Sequence, residues 1–439
     1  MVLKSKSSGF SLIETLVGSA VFVMLALSAY KAFEVLMDVV ATSQAKITAT
    51  TLANEKFEII RNLPYTDVGI VAGLPSGKIK RNETIVKDNF SFDTTTTIRN
   101  VDDPFDGTIG GSPSDSSPAD YKLVDLEINC SNCRSFTPLG FTTLIAPHSL
   151  ETASSNGALF IRVFDASGLP VQGASLHIKN TNTDPDTIID ETTDNEGWVK
   201  IIDAPTGTFA YEITASKSGY TTDKTYLPGG DAGPNPTLPN PTVVTQQVTQ
   251  TSLSIDMLSS ISVETYDTSC VLLPSLSFSL TGTKKIGENI LKYPAQEFTS
   301  DSTGHLEIPD MEWDSYSTLL SSSSYDLAGV NPFPIFSLPP NENKTIKIIA
   351  NLHSGNSVLV SVKDSLGEPI NDATVLLQKT GFEETKTTGQ GSCTAPGQVF
   401  WSGLESGNYT LTVTKNGYQE EVVSFSSSSW KNETITLTP

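Results

Sequence analysis

Residues 9–30 read GFSLIETLVGSAVFVMLALSAY, an apolar run broken by one carboxylate, Glu14. The 21 residues from Phe10 to Tyr30 rise about 1.5 Å each as a helix and reach across a hydrocarbon core of about 30 Å. The segment is long enough to cross a membrane once, so the rest of the chain must fold on one side of it. Lys4 and Lys6 precede the run, and the positive-inside bias puts the N-terminus in the cytoplasm and everything after Lys31 outside. A removable secretory signal has a shorter apolar region and a small-residue cleavage site. Here the run continues directly into an amphipathic pattern.

A carboxylate inside an apolar span is costly on insertion scales, so Glu14, five residues from the start of the run, calls for a reason. One is a place near enough to the interface to snorkel; the other is a positive partner. The words around it bear on the choice. At SSGFSLIE the chain resembles the type IV pilins and pseudopilins, whose signal is a basic leader, Gly, Phe, and a carboxylate at the fifth mature position. The matching residues are Gly9, Phe10 and Glu14.

The resemblance implies that a prepilin peptidase cuts on the cytoplasmic side between Gly9 and Phe10, removing leader residues 1–9, and that the new terminal Phe10 is N-methylated. It also implies that Glu14 of one subunit neutralises the Phe10 amine of a neighbour as helices stack. The partners are then the peptidase, other pilin or pseudopilin subunits met through the N-terminal helix, and the inner membrane before assembly.

Residues 31–62 contain neither Pro nor Gly, and Ala32, Val35, Leu36, Val39, Val40, Leu52, Phe57, Ile59 and Ile60 recur at helical spacing. Pro64 ends the pattern. One helix from Ser11 to Asn62 would be about 78 Å long. Several members of the resembled family have a helix-kinking Pro near the membrane exit where this chain has Lys31, so a straighter helix is expected. KIKRNETIV, FSFDTTTTI, YKLVDLEIN and FTTLIAP read as strands of a small antiparallel sheet covering the outer half of that helix. Together they predict an α+β pilin-like domain over residues 10–150, with 10–30 in the membrane.

Between those strands lies VDDPFDGTIGGSPSDSSPADY, a loop by composition. Asp102, Asp103, Asp106, Asp115 and Asp120 offer oxygens, and the family resemblance makes calcium an alternative to a solvated turn. The EF-hand spacing is absent. Cys130 and Cys133 are expected to form a local disulfide in an exported region. Alone they make a poor zinc site, which wants four ligands. Cys270 and Cys393 lie far apart in the sequence and are expected as buried free thiols.

An internal repeat occupies the C-terminal two thirds. ALFIRVFDASGLPVQGASLHI (158–178) and SVLVSVKDSLGEPINDATVLL (357–377) place Asp165, Gly168, Pro170 and Ala174 at the spacings of Asp364, Gly367, Pro369 and Ala373. Each copy predicts an alternating strand, a tight Asp-x-x-Gly turn and a second strand. GTFAYEITASKSGY and GNYTLTVTKNGY extend the match to Tyr220 and Tyr418.

These copies look like the carboxypeptidase regulatory-like and collagen-adhesin B-type families, which implies seven-stranded Ig-like sandwiches. The segment between them, with Asp301, Gly304 and Pro309 as turn markers, reads as a degenerate third copy. The expected divisions are 157–250, 251–352 and 356–439. LPGGDAGPNPTLPNPT reads as a semi-rigid Pro/Gly linker closing the first copy. The fold class is thus an α+β pilin-like domain followed by all-β Ig-like sandwich domains.

With 439 residues, the part outside the membrane is long enough for several domains. A net charge of −21 argues against nucleic-acid binding, which needs clustered Lys and Arg; it suits an exposed, soluble surface. His148, His177, His305 and His353 are scattered singly, and no nucleophile-elbow or phosphate-loop pattern is present. The chain is expected not to be an enzyme. The resemblance implies instead a minor pilin or pseudopilin of a type IV pilus-like filament whose sandwich modules serve as spacers or meet an extracellular ligand. The alternatives are a membrane-tethered adhesin that does not polymerise and a pseudopilin of a type II secretion system.

Overall fold

The computed structural model describes residues 11–147, 154–389 and 395–439. One helix, α1 (Leu12–Arg61), opens the described chain. Ser11 caps it in extended conformation, and Asn62 closes it with its amide and its side chain both donating to the Glu58 carbonyl, at 3.2 and 2.7 Å. Leu63 precedes Pro64, a position that disfavours α geometry, and the helix ends there. The 50 residues form a single α-helix about 75 Å long.

Four strands follow, β1 (Asn82–Lys87), β2 (Phe90–Val101), β3 (Tyr121–Cys130) and β4 (Leu139–Ile145), in one antiparallel sheet of order β1-β2-β3-β4. The helix meets this sheet only through its C-terminal part. Ala45, Ala49, Leu52, Ala53, Phe57 and Ile60 are its buried apolar residues, three or four apart and therefore on one face. Phe92, Ile98, Val124, Leu126 and Ile128 complete that core from the sheet. The three alanines let the helix lie close to the strands.

Lys122 is buried beneath this body, donating to the carbonyls of Tyr65 and Val68 at 2.8 and 2.6 Å. Burial pushes its ammonium down to about 8, with Asp203 opposing the shift. An unfolded lysine keeps a pKa near 10.4, so the unfolded chain binds the extra proton between the two values. Body stability is therefore expected to rise with pH from about 8 to 10. Thermal melts across that window should show the rise, and Lys122→Met should remove it.

Beyond the body lie three modules, each of two sheets around one core. In each, the first strand lies between an antiparallel strand and a parallel last strand. Gly157–Phe164 is flanked by Trp198–Ala204 and Val248–Ser254, Ser259–Asp267 by His305–Met311 and Asn343–Leu352, and Asn356–Lys363 by Gln398–Leu404 and Trp430–Thr436. The middle segment thus repeats the topology of its neighbours, with an added hairpin and an extra edge strand, Tyr325–Asn331. Inward side chains such as Leu176, Ile178, Leu377 and Leu411 are fully buried and contribute about 2 kcal/mol each relative to exposure.

One turn recurs five times. Asp165, Asp194, Asp267, Asp301 and Asp364 each use Oδ1 to accept the backbone amides two and four residues on, at 2.7–3.0 Å. In four of these turns the left-handed third position after the Asp is glycine: Gly168, Gly197, Gly304 and Gly367. Cys270 takes that place in the fifth, at φ +66°. It is disulfide-bonded, which corrects the expectation of a free thiol. Cys393 lies outside the described residues.

A buried tyrosine also recurs. The hydroxyls of Tyr211, Tyr316 and Tyr409 donate to the carbonyls of Pro205, Glu312 and Glu405 at 2.6, 2.8 and 3.1 Å. Burial raises the Tyr211 phenol to about 12.

The expected linker over residues 227–242 is instead a packed loop within the first module. Tyr226 bridges Pro239, Ala232 and Asn240 are buried, and the chain then enters Val248–Ser254, which pairs along all of Gly157–Phe164. That strand straddles the expected division at 250/251.

Hydrogen bonds and ion pairs join successive units. Ile188 N donates to Ala72 O at 2.8 Å and Arg99 pairs with Glu191 at 3.6 Å. Thr237 N donates to Ile286 O at 2.8 Å. The buried Gln398 amide exchanges two 3.0 Å bonds with the Val330 backbone.

Candidate functional site

From Leu12 to Gln44 no residue of α1 is buried. Leu12, Ile13, Leu16, Val17, Val21, Phe22, Met24 and Leu25 are all more than half exposed, and the helix is apolar and long enough to cross a membrane. Apolar exposure continues past Lys31 through Phe33, Leu36, Val39 and Val40, where Lys31 and Glu34 pair at 2.7 Å. At about 1.5 Å per residue, the run from Leu12 to Val40 exceeds a 30 Å hydrocarbon core by roughly 13 Å. A membrane alone does not cover it.

The structure begins just inside the predicted processing site, and Gly9 and Phe10 lie outside the described residues. Glu14 is described, and its carboxylate is not idle. Ser11 N donates to Glu14 Oε2 at 3.0 Å, Ser11 Oγ at 3.1 Å, and Glu14 N returns a 3.3 Å bond to Ser11 Oγ. This is a capping box. Sequence reading passed over it, although S-x-x-E at Ser11–Glu14 is its local signature. One carboxylate oxygen takes both bonds, which leaves Oε1 for a further donor.

Cys130 and Cys133 form a disulfide with Cα atoms 5.5 Å apart. Their loop is held by Asn132 Oδ1, which accepts from Ser91 N at 2.8 Å, and it carries Arg134 to within 3.6 Å of Asp38 on α1. The disulfide thus closes the loop that carries Arg134 toward α1.

The acidic loop spends its carboxylates on its own backbone. Asp102 accepts from Ile109 N at 2.9 Å, Asp103 from Phe105 N at 3.1 Å, Asp115 from Ser117 N at 2.8 Å, and Asp120 from Asp103 N. The other oxygens of Asp102, Asp115 and Asp120 are buried without a partner. Burial first, then mutual repulsion, raises the pKa of Asp102 and Asp120. A cation would relieve that repulsion, yet among the described residues no three acidic, His or Cys side chains gather as a metal-holding group.

Two histidines have carboxylates beside them that their spacing in the chain conceals. His177 Nδ1 lies 2.6 Å from Asp190 and His353 Nδ1 2.9 Å from Asp326. Ser357 Oγ donates to the other Asp326 oxygen at 2.8 Å. The serine therefore bonds to the carboxylate rather than the imidazole, unlike a nucleophile with its base. His148 lies outside the described residues.

No protein-family profile matches the sequence, and no curated protein matches it. Among solved structures, the TIE protein of Bacillus anthracis aligns at 14% identity over 82% of this chain and 73% of its own, with a TM-score of 0.20. The Streptococcal ancillary pilin aligns at 13% identity over 64% of this chain and 98% of its own, with a TM-score of 0.18. The shaft pilin SpaA from Lactobacillus rhamnosus GG aligns at 13% over 46% and 99%, at 0.20. At such TM-scores none of the three superposes on this chain as a whole.

Proposed function

We propose that the chain is a minor pilin or pseudopilin-like subunit of a type IV pilus-like filament, processed after Gly9 by a prepilin peptidase and methylated at Phe10. The observation that carries this reading is the uncovered apolar stretch of α1, longer than a bilayer core and starting at the GFSLIE word. In the membrane the lipid covers most of it; in a filament the same helix of other subunits covers all of it. Glu14, with one oxygen free of the cap, then neutralises the Phe10 amine of a neighbour.

The three modules are read as Ig-like sandwiches, in keeping with their shared topology and the buried tyrosine that bonds back to the chain. They are presented outside the cell for adhesion or as spacers. Three bulky modules would crowd every position along a helical shaft, so the subunit belongs at or near the tip. Nothing in this reading asks for catalysis.

The capping box favours a second reading, a membrane-tethered adhesin that does not polymerise, because Glu14 already has a partner within its own helix. Recovery of the chain in sheared filaments supports the first reading. Retention in the membrane fraction alone supports the second.

A further inference from the structure

In each module the first and last strands run parallel and side by side, over seven residue pairs from Ala158 and Val248, eight from Ser260 and Asn343, and seven from Ser357 and Trp430. Backbone bonds carry each ladder one step further. Ala158 N donates to Gln247 O at 3.0 Å and Ile255 N to Phe164 O at 3.1 Å, while Ser260 N to Glu342 O and Leu437 N to Lys363 O are 2.9 Å each. The first strand is also held on its other side by an antiparallel strand, and its inward side chains, Ile161, Val263 and Val360 among them, are buried in the cores.

Because the two strands run the same way, the chain enters a module at one end and leaves it at the other. Four residues then separate Ser254 from Ser259, and three separate Leu352 from Asn356. Even fully extended, four residues reach only about 14 Å. These connectors are also bonded to the modules they leave, Leu258 N to Gly219 O and His353 N to Ser324 O at 2.9 Å each. A pull along the chain therefore passes from one module to the next with little slack to take up.

Such a pull draws the first strand against the last along their common axis. In shear the rungs of a ladder are strained together and must fail together, whereas a hairpin pulled open from its end loses them one at a time. Each backbone bond is weak by itself, so its orientation to the pull decides the resistance. The first two modules are loaded in shear wherever the last module is held. The last module is loaded the same way when the grip lies near Pro439.

We propose that the three modules form a tension-bearing stalk, in which a pull between the anchored helix and the last module is carried in shear by the parallel first and last strands. The proposal deepens the reading of the modules as adhesive or spacer domains and rests on it for the source of the tension, but its test needs no filament. Full-length protein in detergent is stretched between single-molecule handles at Ser155 and Pro439, both exposed, which keeps the pilin-like body out of the path. Reductant removes the Cys270 disulfide. Three unfolding steps of about 300 Å each are expected. The same chain held at Asn408 and Ser426, exposed partners at the open end of an antiparallel hairpin, is expected to open the last module at no more than roughly a third of the force.

The alternation that turns Leu437 N toward Lys363 O turns Glu433 N the same way and Asn432 N toward the open edge of the sheet. Glu433→Pro should therefore remove a rung and at least halve the force for the last module while leaving the other two unchanged. Asn432→Pro, on the same strand, should cost little. Equal force in the two pulling geometries, or equal losses in the two proline variants, would overturn the proposal. Should Glu433→Pro fail to fold, the parent chain still decides through its two pulling geometries. A force gap in a chain that never enters filaments would leave the stalk standing and remove the filament reading instead.

Discussion

Exchanging Glu14 for glutamine is expected to leave the chain inserted and cleaved yet at least a hundredfold depleted from sheared filaments. Glutamine keeps the capping box, since its side-chain oxygen still accepts from Ser11 N. Only the charge is lost. A neighbour's Phe10 amine then enters the filament core unpaired, and an uncompensated buried charge costs about 3–5 kcal/mol. Glu14→Ala should behave alike in filaments and should also lose about 1 kcal/mol of helix capping. If the carboxylate serves only its own helix, glutamine will match the parent and alanine alone will differ. Immunoblots of sheared filaments from the two variants separate these roles.

Gly197→Val is expected to unfold the first module and spare the others. Gly197 sits at φ +76°, and a Cβ there would lie 2.5 Å from the Val163 carbonyl. Its own carbonyl accepts from Val163 N at 2.8 Å, so the two chains cannot part without losing that bond. The left-handed conformation costs a β-branched residue more than the usual 1–2 kcal/mol, and the clash with backbone adds to it, for a total of about 4 kcal/mol. Gly304 and Gly397 hold the same place in the other modules, accepting from Thr265 N and Val362 N. Gly168 is the contrast: φ is +80° but nothing lies within 4 Å of its Cβ position, so Gly168→Ala should cost only about 1 kcal/mol. Amide exchange read by mass spectrometry at Ile178 and Ile213 should rise sharply in Gly197→Val and little in Gly168→Ala.

What the sequence disclosed and what it hid follow physical lines. The limits of α1 were legible because Ser11, the periodic apolar residues and Pro64 act locally. The Asp-x-x-Gly turns were legible for the same reason, since each is closed by one aspartate within five residues. The cap on Glu14 was equally local but was hidden by the stronger pattern it belongs to. Pairings between distant segments were not legible. Residues 227–242 look like a linker by Pro and Gly content until Val248–Ser254 is seen to pair with Gly157–Phe164. Cys270 looks like a spare thiol until its left-handed place in a glycine turn and its disulfide are seen together.

The most direct test of the filament reading is the mass of the N-terminal peptide of the mature protein, taken from cells with an intact peptidase. Cleavage between Gly9 and Phe10 with one added methyl group on the Phe10 amine is the predicted result. A mature chain that still begins at Met1, or one cut beyond Glu14, would contradict it.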